Sequence, residues 1–381
     1  MKYLMLHRAF KNFGDFLIFE RGLNLVQRLK PNVEILIGDA SESLEAQFNK
    51  AELKMINAIV VPGGPGIRRD AFPNIYPLSE CVFRERIPTY FLGAGCKIYP
   101  YFKNKELLPF SSKTKFLFDY LCTFAPIGVR DIVTYRVLSL KKYPAQLNGC
   151  PAWYSHKRVK NFSIKNIKKI IFSTPAYAEN AFQFIKILKK FRQKNPEIEC
   201  VVSFNHGVPQ SHQNSAWNIK RKMEFFILEW ARKHGCKIAD MSGPAINYDI
   251  YDDSDVHIGY GVHTHIYFLS MGMPSFLITE DSRGCGVLET LNTPGVVNNF
   301  PFKSGLYFKT ANCLSSMVSN LNVPVGLGLK RLVLRREDIS EVLYNDVMLE
   351  FERNLSSFQH VLQTIDSFYE KNMKPYIVSL P

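Results

Sequence analysis

Two closely spaced histidines, His263 and His265, mark the segment of this sequence with the clearest capacity for chemistry. They lie between two short apolar runs, His257–Tyr260 and Ser275–Ile278. The pattern predicts a strand, a helix that carries both histidines and Thr264 in its first turn, and a second strand. The unpaired N–H groups and the dipole of a helix N-terminus favour an anion. We therefore predict a ligand site here; the alternative is that the histidines only pack or cap the helix.

An acidic candidate follows the first apolar run of the chain. The segment Asn12–Asp15 contains Gly14, where a ligand can approach the backbone, and Asp15, whose carboxylate can orient a sugar hydroxyl. We count Asp15 with His265 as the catalytic candidates, although Asp15 could instead only cap a helix. The loop Pro62–Gly66 consists of turn-forming residues, and Gly64 within it is a candidate for ligand binding. It lacks the Lys-Ser/Thr pair of a P-loop.

Four further candidates are predicted to lie at strand ends. Arg130 can grip a carboxylate or phosphate with two N–H groups, or form a structural salt bridge. His206 follows the run 198–204, where it could touch a ligand. Arg283 would supply charge for an anionic donor, and Glu280 could hold the ribose hydroxyls of a nucleotide; the alternative for both is a solvated surface role. No metal-binding spacing accompanies these residues, so we predict no metal.

Apolar runs of strand length alternate with amphipathic segments of helix length, which is typical of parallel α/β sheets. The predicted strands are Tyr3–His7, Val33–Ile37, Ala58–Pro62, Thr89–Leu92, Ile127–Val129, Gln146–Leu147, Lys169–Ser173, Ile198–Phe204 and Lys237–Met241, besides the two that flank the histidines. We predict an α/β protein with two Rossmann-like domains, residues 1–156 and 157–334, that face each other across a cleft. A helical segment, residues 335–381, should pack back across their junction. Loops after the carboxyl ends of the strands form the ligand crevice in such sheets.

Composition narrows the class of protein. The 48 basic residues outnumber the 34 acidic ones, a net charge of +14, and no nucleic-acid recognition motif accompanies this excess. We expect no nucleic-acid partner, but an anionic membrane surface or an anionic substrate would fit. The eight cysteines are scattered, which favours a reducing cytoplasm. Because no apolar run approaches the ~20 residues that span a bilayer, membrane contact should be peripheral, on the inner face.

Taken together, these motifs resemble those of the polysaccharide pyruvyl transferases. The matching segments, in the family's order, are Asn12–Asp15, Gly63–Gly66, Gly128–Asp131, Gly149–Pro151 and the stretch from Ile258 to Pro274. Within the last stretch, His265 matches the family's motif histidine. His263 stands where typical members carry arginine, and a histidine is charged only part of the time near neutrality.

The resemblance implies a GT-B-like fold and a transferase of cell-surface polysaccharide biosynthesis. The implied reaction moves a pyruvyl group from phosphoenolpyruvate to a hydroxyl of a glycan or lipid-linked sugar, without a cofactor. A histidine would protonate the enol carbon or take the acceptor's proton, so we expect the ring of His265 to face the gap between the lobes. Two alternatives stay open: a glycosyltransferase with a nucleotide-sugar donor, and a non-catalytic scaffold of a glycan-assembly complex.

Overall fold

The computed structural model describes residues 1–8, 11–99, 101, 108–155, 157–164, 166–209, 219–243, 248–296 and 338–381. Two parallel β-sheets flanked by helices form the two lobes of these residues. The predicted domain boundaries at 156 and 334 both fall outside the described ranges and stay predictions.

The first lobe is built on strands β1 to β6. Their bounds are Lys2–His7, Glu34–Asp39, Ala58–Pro62, Thr89–Leu92, Ile127–Val129 and Ala145–Leu147. Strands β1 to β4 pair in the order β2-β1-β3-β4, and β5 pairs with β6. A parallel bridge between Ala94 and Val129 joins the two groups. The helices α1 to α6 are Phe13–Leu29, Leu44–Gln47, Lys50–Lys54, Glu80–Arg84, Ser112–Cys122 and Ile132–Leu140.

The second lobe repeats this construction with strands β7 to β12. Their bounds are Lys169–Ser173, Glu199–Phe204, Lys237–Asp240, Val256–Gly259, Ser275–Ile278 and Gly295–Val296, and their order in the sheet is β12-β11-β10-β7-β8-β9. The helices α7 to α11 are Ala181–Lys194, Ile219–Lys233, Asp249–Asp252, Val262–Ser270 and Ser282–Leu291. The two α/β halves predicted from the alternation of apolar runs are therefore confirmed.

Helix α1 begins earlier than the sequence pattern suggested. The amphipathic pattern of Phe16–Leu29 predicts a helix over those residues, but the Asn12 side chain caps the helix by accepting a hydrogen bond from the Gly14 N–H at 3.1 Å, and the helix starts at Phe13. Asp15 therefore lies in the first turn and is not the cap. The pattern of Ser215–His234 likewise predicts the helix α8, whose predicted first residues, 215–218, lie outside the described residues.

The C-terminal helices contact both lobes. They are α12, Ser340–Glu352, α13, Val361–Phe368, and α14, Lys374–Val378. Helix α12 packs on α7 of the second lobe, whereas α14 packs on α1 of the first. The Tyr376 hydroxyl donates to the Pro126 carbonyl at 2.9 Å. The prediction that the tail packs back across the junction is confirmed.

Direct contacts also join the lobes near the ends of their strands. The Phe13 N–H, at the start of α1, donates to the Asn205 carbonyl after β8 at 3.0 Å. The Ile132 N–H, at the start of α6, donates to the Thr290 hydroxyl of α11 at 2.9 Å. Helix α6 of the first lobe therefore packs on α11 of the second. No helix in the described part of the chain combines the length and apolar character needed to cross a membrane.

Candidate functional site

A pocket of about 390 Å³ opens beside the carboxyl ends of β1 and β3. Most of its wall belongs to the first lobe, and His263 and Arg283 complete it from the second. Its polar and charged lining residues are His7, Arg8, Asn12, Asp15, Arg68, Tyr76, His263 and Arg283. Three arginines and one carboxylate give the lining a cationic character, which suits an anionic ligand.

The glycine loop after β3 forms one wall of the pocket. Gly63 and Gly64 have φ angles of 55° and 75°, a left-handed conformation that favours glycine. The Gly64 carbonyl accepts a hydrogen bond from the Gly95 N–H at 2.8 Å, which ties the loop to the end of β4. A Cβ on Gly66 would lie 2.5 Å from the Tyr76 hydroxyl, so glycine there lets this phenol reach the pocket. The loop presents backbone rather than side chains to a ligand.

Asp15 lines the pocket on the first turn of α1. Burial raises the pKa of its carboxyl group to about 6, while the nearby cations Arg283 and Arg8 act in the opposite direction. Because Asn12 caps the helix, the Asp15 carboxylate is not needed as the cap. A carboxyl group with this pKa can exchange a proton near neutral pH.

His263 belongs to the second lobe and faces the first turn of α1, which carries Asp15. Its ring packs on Gly14 so closely that a Cβ on that glycine would lie 1.7 Å from Nδ1. The residue is 8% exposed, and Nε2 is buried with no hydrogen-bond partner among the described residues. Burial, followed by the charges of Arg130 and Arg283, holds the pKa of His263 well below its usual value. The imidazole is therefore neutral at physiological pH.

This contact leads to a first prediction. Gly14→Ala should lower the free energy of unfolding by about 1–3 kcal/mol, because the new methyl group overlaps the His263 ring in a packed interface. Thermal denaturation measures this change. The double variant Gly14→Ala/His263→Ala should recover most of the loss, since the smaller side chain leaves room. Equal stability of Gly14→Ala and the wild type would show that the ring does not occupy this position.

Arg130 lies behind the pocket and is fully buried. Its Nε donates to Asp131 at 3.0 Å, and Asp131 also caps α6 by accepting from the Thr134 N–H at 2.8 Å. The terminal nitrogens Nη1 and Nη2 are buried without a hydrogen-bond partner in the described structure. Gly95 leaves the space for this group, because a Cβ there would lie 2.2 Å from Nε. One edge of the guanidinium thus forms the structural salt bridge that was one of the two predictions, whereas the grip on an anionic ligand stays a prediction.

Arg283 is the cationic side chain that the second lobe contributes to the pocket lining. Its Nε and Nη2 bind the Asp281 carboxylate at distances of 2.7 to 3.1 Å, which fixes the guanidinium at the pocket wall. Although burial opposes its charge, Asp281 holds the pKa of Arg283 above its usual value. The sequence reasoning missed Arg8 and Arg68, two further lining cations. Arg8 follows β1, and Arg68 follows the glycine loop. Their positions next to these two segments were the only signal in the sequence that they could line the pocket.

Comparison with known proteins identifies the family. The model of the polysaccharide pyruvyl transferase family matches residues 12–282, more than half of the chain. The chain belongs to this family. It is therefore a transferase of polysaccharide biosynthesis. No curated protein sequence is significantly similar to it.

A solved structure supports the fold. A structure named trehalose-6-phosphate from E. coli, bound with UDP-2-fluoro glucose, is 10% identical, with a TM-score of 0.54, over 100% of this chain and 98% of that one. Anabaena HepE, in complex with UDP and glucose, is 10% identical over 97% and 98% of the two chains, with a TM-score of 0.46. The UDP-GlcNAc 2-epimerase from Neisseria meningitidis is 10% identical over 92% and 100%, with a TM-score of 0.44. The first of these likenesses supports a GT-B-like arrangement of the two lobes.

In this pyruvyl transferase family member, the ring of His265 does not face the gap between the lobes, and our expectation is corrected. The residue is fully buried between α10 and the second sheet, and Nδ1 shares a hydrogen bond of 2.7 Å with the Ser275 hydroxyl of β11. Burial lowers the pKa of His265 to about 3. Successive helical residues are rotated by about 100°, so residues two apart project from nearly opposite sides. His263 faces the pocket, and His265 therefore faces the core.

Three other predicted ligand contacts also lie elsewhere. Thr264 is fully buried, and its hydroxyl accepts a hydrogen bond from the Asn205 side chain at 3.0 Å. Glu280 accepts hydrogen bonds from the Ala176 and Tyr177 N–H groups at 2.9 and 3.1 Å. Burial raises the pKa of Glu280 to about 7.

Thr264 and Glu280 therefore bind neighbouring loops of the second lobe, and the structure does not support a role for Glu280 in holding ribose. His206 is exposed on the loop after β8, outside the pocket lining. The structure thus brings Gly14, Asp15, Gly64, His263 and Arg283 together, with Arg130 directly behind them.

Proposed function

We propose that this protein transfers a pyruvyl group from phosphoenolpyruvate to a sugar in the pocket between its lobes. The observation that carries the proposal is the buried guanidinium of Arg130, whose terminal N–H groups have no partner in the described structure. An unpaired buried donor costs free energy, and a carboxylate that accepts two parallel hydrogen bonds would remove that cost. Family membership supports the same donor.

Phosphoenolpyruvate carries two anionic groups on three carbons, and the protein has cations for both: two in the lining of the pocket and one behind its wall, against Gly95. We assign the carboxylate to Arg130 and the phosphate to Arg283 and Arg68, which line the opening. The backbone of Gly63 and Gly64 allows the phosphate to approach closely. A neutral His263 adds a hydrogen bond without the repulsion that a further cation would add to these arginines.

Asp15 is the group we assign to proton transfer. The reaction adds one proton to the methylene carbon of the donor, and two sugar hydroxyls attack its central carbon in turn. The two hydroxyls release two protons, of which one reaches the methylene carbon and the other leaves with the phosphate. The carbon–oxygen bond to phosphate breaks, and a cyclic ketal and inorganic phosphate result. An ionised Asp15 accepts a proton from a hydroxyl, and the protonated Asp15 can then donate this proton to the methylene carbon. The neighbouring arginines stabilise the charge that develops on the leaving phosphate.

The acceptor in this proposal is a sugar of a surface glycan, either free or linked to a lipid at the inner face of a membrane. A lipid-linked acceptor would bring the enzyme to an anionic surface, which its net charge of +14 favours.

Ligand-induced thermal stabilisation tests the donor assignment. Phosphoenolpyruvate should raise the midpoint of unfolding in a concentration-dependent manner, because it binds only the folded state. UDP-glucose and UDP-N-acetylglucosamine at equal concentrations should not. The exposed variant Arg232→Ala, on α8, is a control for loss of one positive charge and should respond like the wild type. Stabilisation by the nucleotide-sugars but not by phosphoenolpyruvate would replace pyruvyl transfer with glycosyl transfer as the reaction.

A further inference from the structure

Two aromatic side chains lie unusually exposed on the outer surface of the second lobe. Phe182 on α7 is 58% exposed and Phe226 on α8 is 39% exposed. Their rings contact each other, with centroids 5.4 Å apart. A scattered exposed apolar residue is ordinary on a protein surface, but a pair in contact forms a patch.

The same two helices carry much of the positive charge of the protein. Residues 181–194 and 219–233 contain ten basic and two acidic residues, an excess of eight out of the whole chain's +14. Lys189 lies seven residues after Phe182, and Lys222 lies four before Phe226, so each lysine shares the exposed side of its helix with a phenylalanine. Both lysines are exposed. We call Phe182, Lys189, Lys222 and Phe226 the basic–aromatic face.

The basic–aromatic face lies close to the edge of the lobe that bears the pocket. Phe182 stands in the first turn of α7, five residues after Tyr177. The Tyr177 hydroxyl donates to Asp281 at 3.2 Å, and Asp281 in turn holds the pocket residue Arg283. The Phe182 end of the basic–aromatic face is therefore linked, through Tyr177 and Asp281, to the pocket residue Arg283.

We propose that the basic–aromatic face docks the protein on an anionic lipid bilayer. Phe182 and Phe226 insert at the level of the headgroups, and the surrounding lysines bind acidic headgroups. Exposed aromatic rings next to lysines are the combination that binds the interface of an anionic membrane, where each basic residue contributes about fivefold in affinity. A soluble acidic partner would match the lysines but would leave the aromatic pair in water. The proposal extends the membrane partner of the proposed function and does not depend on the identity of the donor.

Co-sedimentation with vesicles tests this inference, without any donor present. The wild type should bind vesicles of equimolar phosphatidylcholine and phosphatidylglycerol, bind less as salt is added, and bind weakly to phosphatidylcholine alone. The variant Lys189→Glu/Lys222→Glu should reduce partitioning by about tenfold or more, since two attractive charges become repulsive. The variant Phe182→Ser/Phe226→Ser should also lose binding, including the part that persists at high salt.

Matched controls come from the first lobe. Phe116 on α5 is 50% exposed and contacts the ring of Phe83 at 5.0 Å, and Lys115 beside it is exposed. Phe116→Ser and Lys115→Glu should bind vesicles like the wild type. Thermal unfolding and stabilisation by phosphoenolpyruvate verify that every variant is folded, and a failure of donor binding alone would leave the vesicle result intact.

Tryptophan fluorescence gives a positive signal of membrane insertion, in addition to the losses of vesicle binding expected for the variants. Phe182→Trp should show a blue shift of tryptophan emission on addition of the anionic vesicles, and Phe116→Trp should not. Equal losses in the first-lobe controls, binding that ignores phosphatidylglycerol, or retention on heparin without any vesicle binding would each overturn the assignment. Loss in the lysine variant but not in the phenylalanine variant would overturn the insertion of the aromatic pair.

Discussion

Replacing Arg130 with lysine should weaken phosphoenolpyruvate binding by roughly 30- to 100-fold and leave the fold intact. Hydrogen bonds to charged groups are each worth about 1.5–3 kcal/mol, and lysine cannot present the two parallel N–H groups of the fork. The ammonium group can still pair with Asp131, which the Arg130 Nε contacts at 3.0 Å in the wild type, so the buried carboxylate keeps a partner. Calorimetric titration measures the affinity, and the wild type provides the reference.

A matched variant separates this effect from the general loss of an arginine. Arg136 on α6 also lies between the lobes, but its two terminal nitrogens already bind Glu289 of α11 and are not offered to a donor. Arg136→Lys should therefore bind phosphoenolpyruvate with wild-type affinity. An Arg130→Lys protein that is folded and binds the donor as tightly as the wild type would remove the central assignment of the proposed function.

Replacing Asp15 with asparagine should reduce turnover by roughly two to four orders of magnitude, the usual contribution of a positioned acid–base group. The donor should still bind, because the arginines remain. Burial raises the pKa of the Asp15 carboxyl to about 6. If its ionised form starts the reaction, wild-type activity should fall about tenfold per pH unit below pH 6. Release of inorganic phosphate, dependent on an acceptor, measures this profile.

The same substitution should increase stability above pH 6, although it decreases turnover. The folded state keeps a proton on Asp15 between about pH 4 and pH 6, whereas the unfolded chain releases it. Relative to Asp15→Asn, the free energy of unfolding of the wild type should therefore decrease as pH rises through this window, by at most about 3 kcal/mol. The comparison cancels the contributions of other buried groups, such as Glu280, and leaves Asp15→Asn the more stable protein above pH 6. The exposed Asp119→Asn, on α5, should keep both wild-type profiles. A difference between the wild type and Asp15→Asn that stays constant from pH 4 to 6 would show that the Asp15 carboxyl is not buried as described.

The sequence was most informative where a short motif determines its own geometry. Ala58–Pro62, Thr89–Leu92 and Ser275–Ile278 were predicted with the bounds that the structure shows, because buried parallel strands are continuous apolar runs. The Asp15 and Arg130 segments were found for a related reason. Each directly follows a strand, and the carboxyl ends of parallel strands converge on one edge.

Errors arose where the function of a residue depends on the direction of its side chain. His263 and His265 were predicted to share one ligand, but their helical rotation sends one to the pocket and the other to Ser275. Glu280 was predicted from its place after β11, but the N–H groups of the Ala176 loop were not foreseeable from the local sequence. Arg8, Arg68 and Tyr76 were missed, because only the packing of the chain decides which residues near these segments line the pocket.

The amino-acid sequence alone therefore determined the α/β class, the order of strands and helices and the motifs at the strand ends, since these follow from local hydrophobic periodicity and turn chemistry. Only the tertiary structure decided which of those motifs meet. The contact of His263 with Gly14 joins residues separated by most of the chain, and packing buries the terminal nitrogens of Arg130 where no described residue pairs with them. Burial and proximity are properties of the folded chain, and they set the charge states on which the proposed chemistry depends.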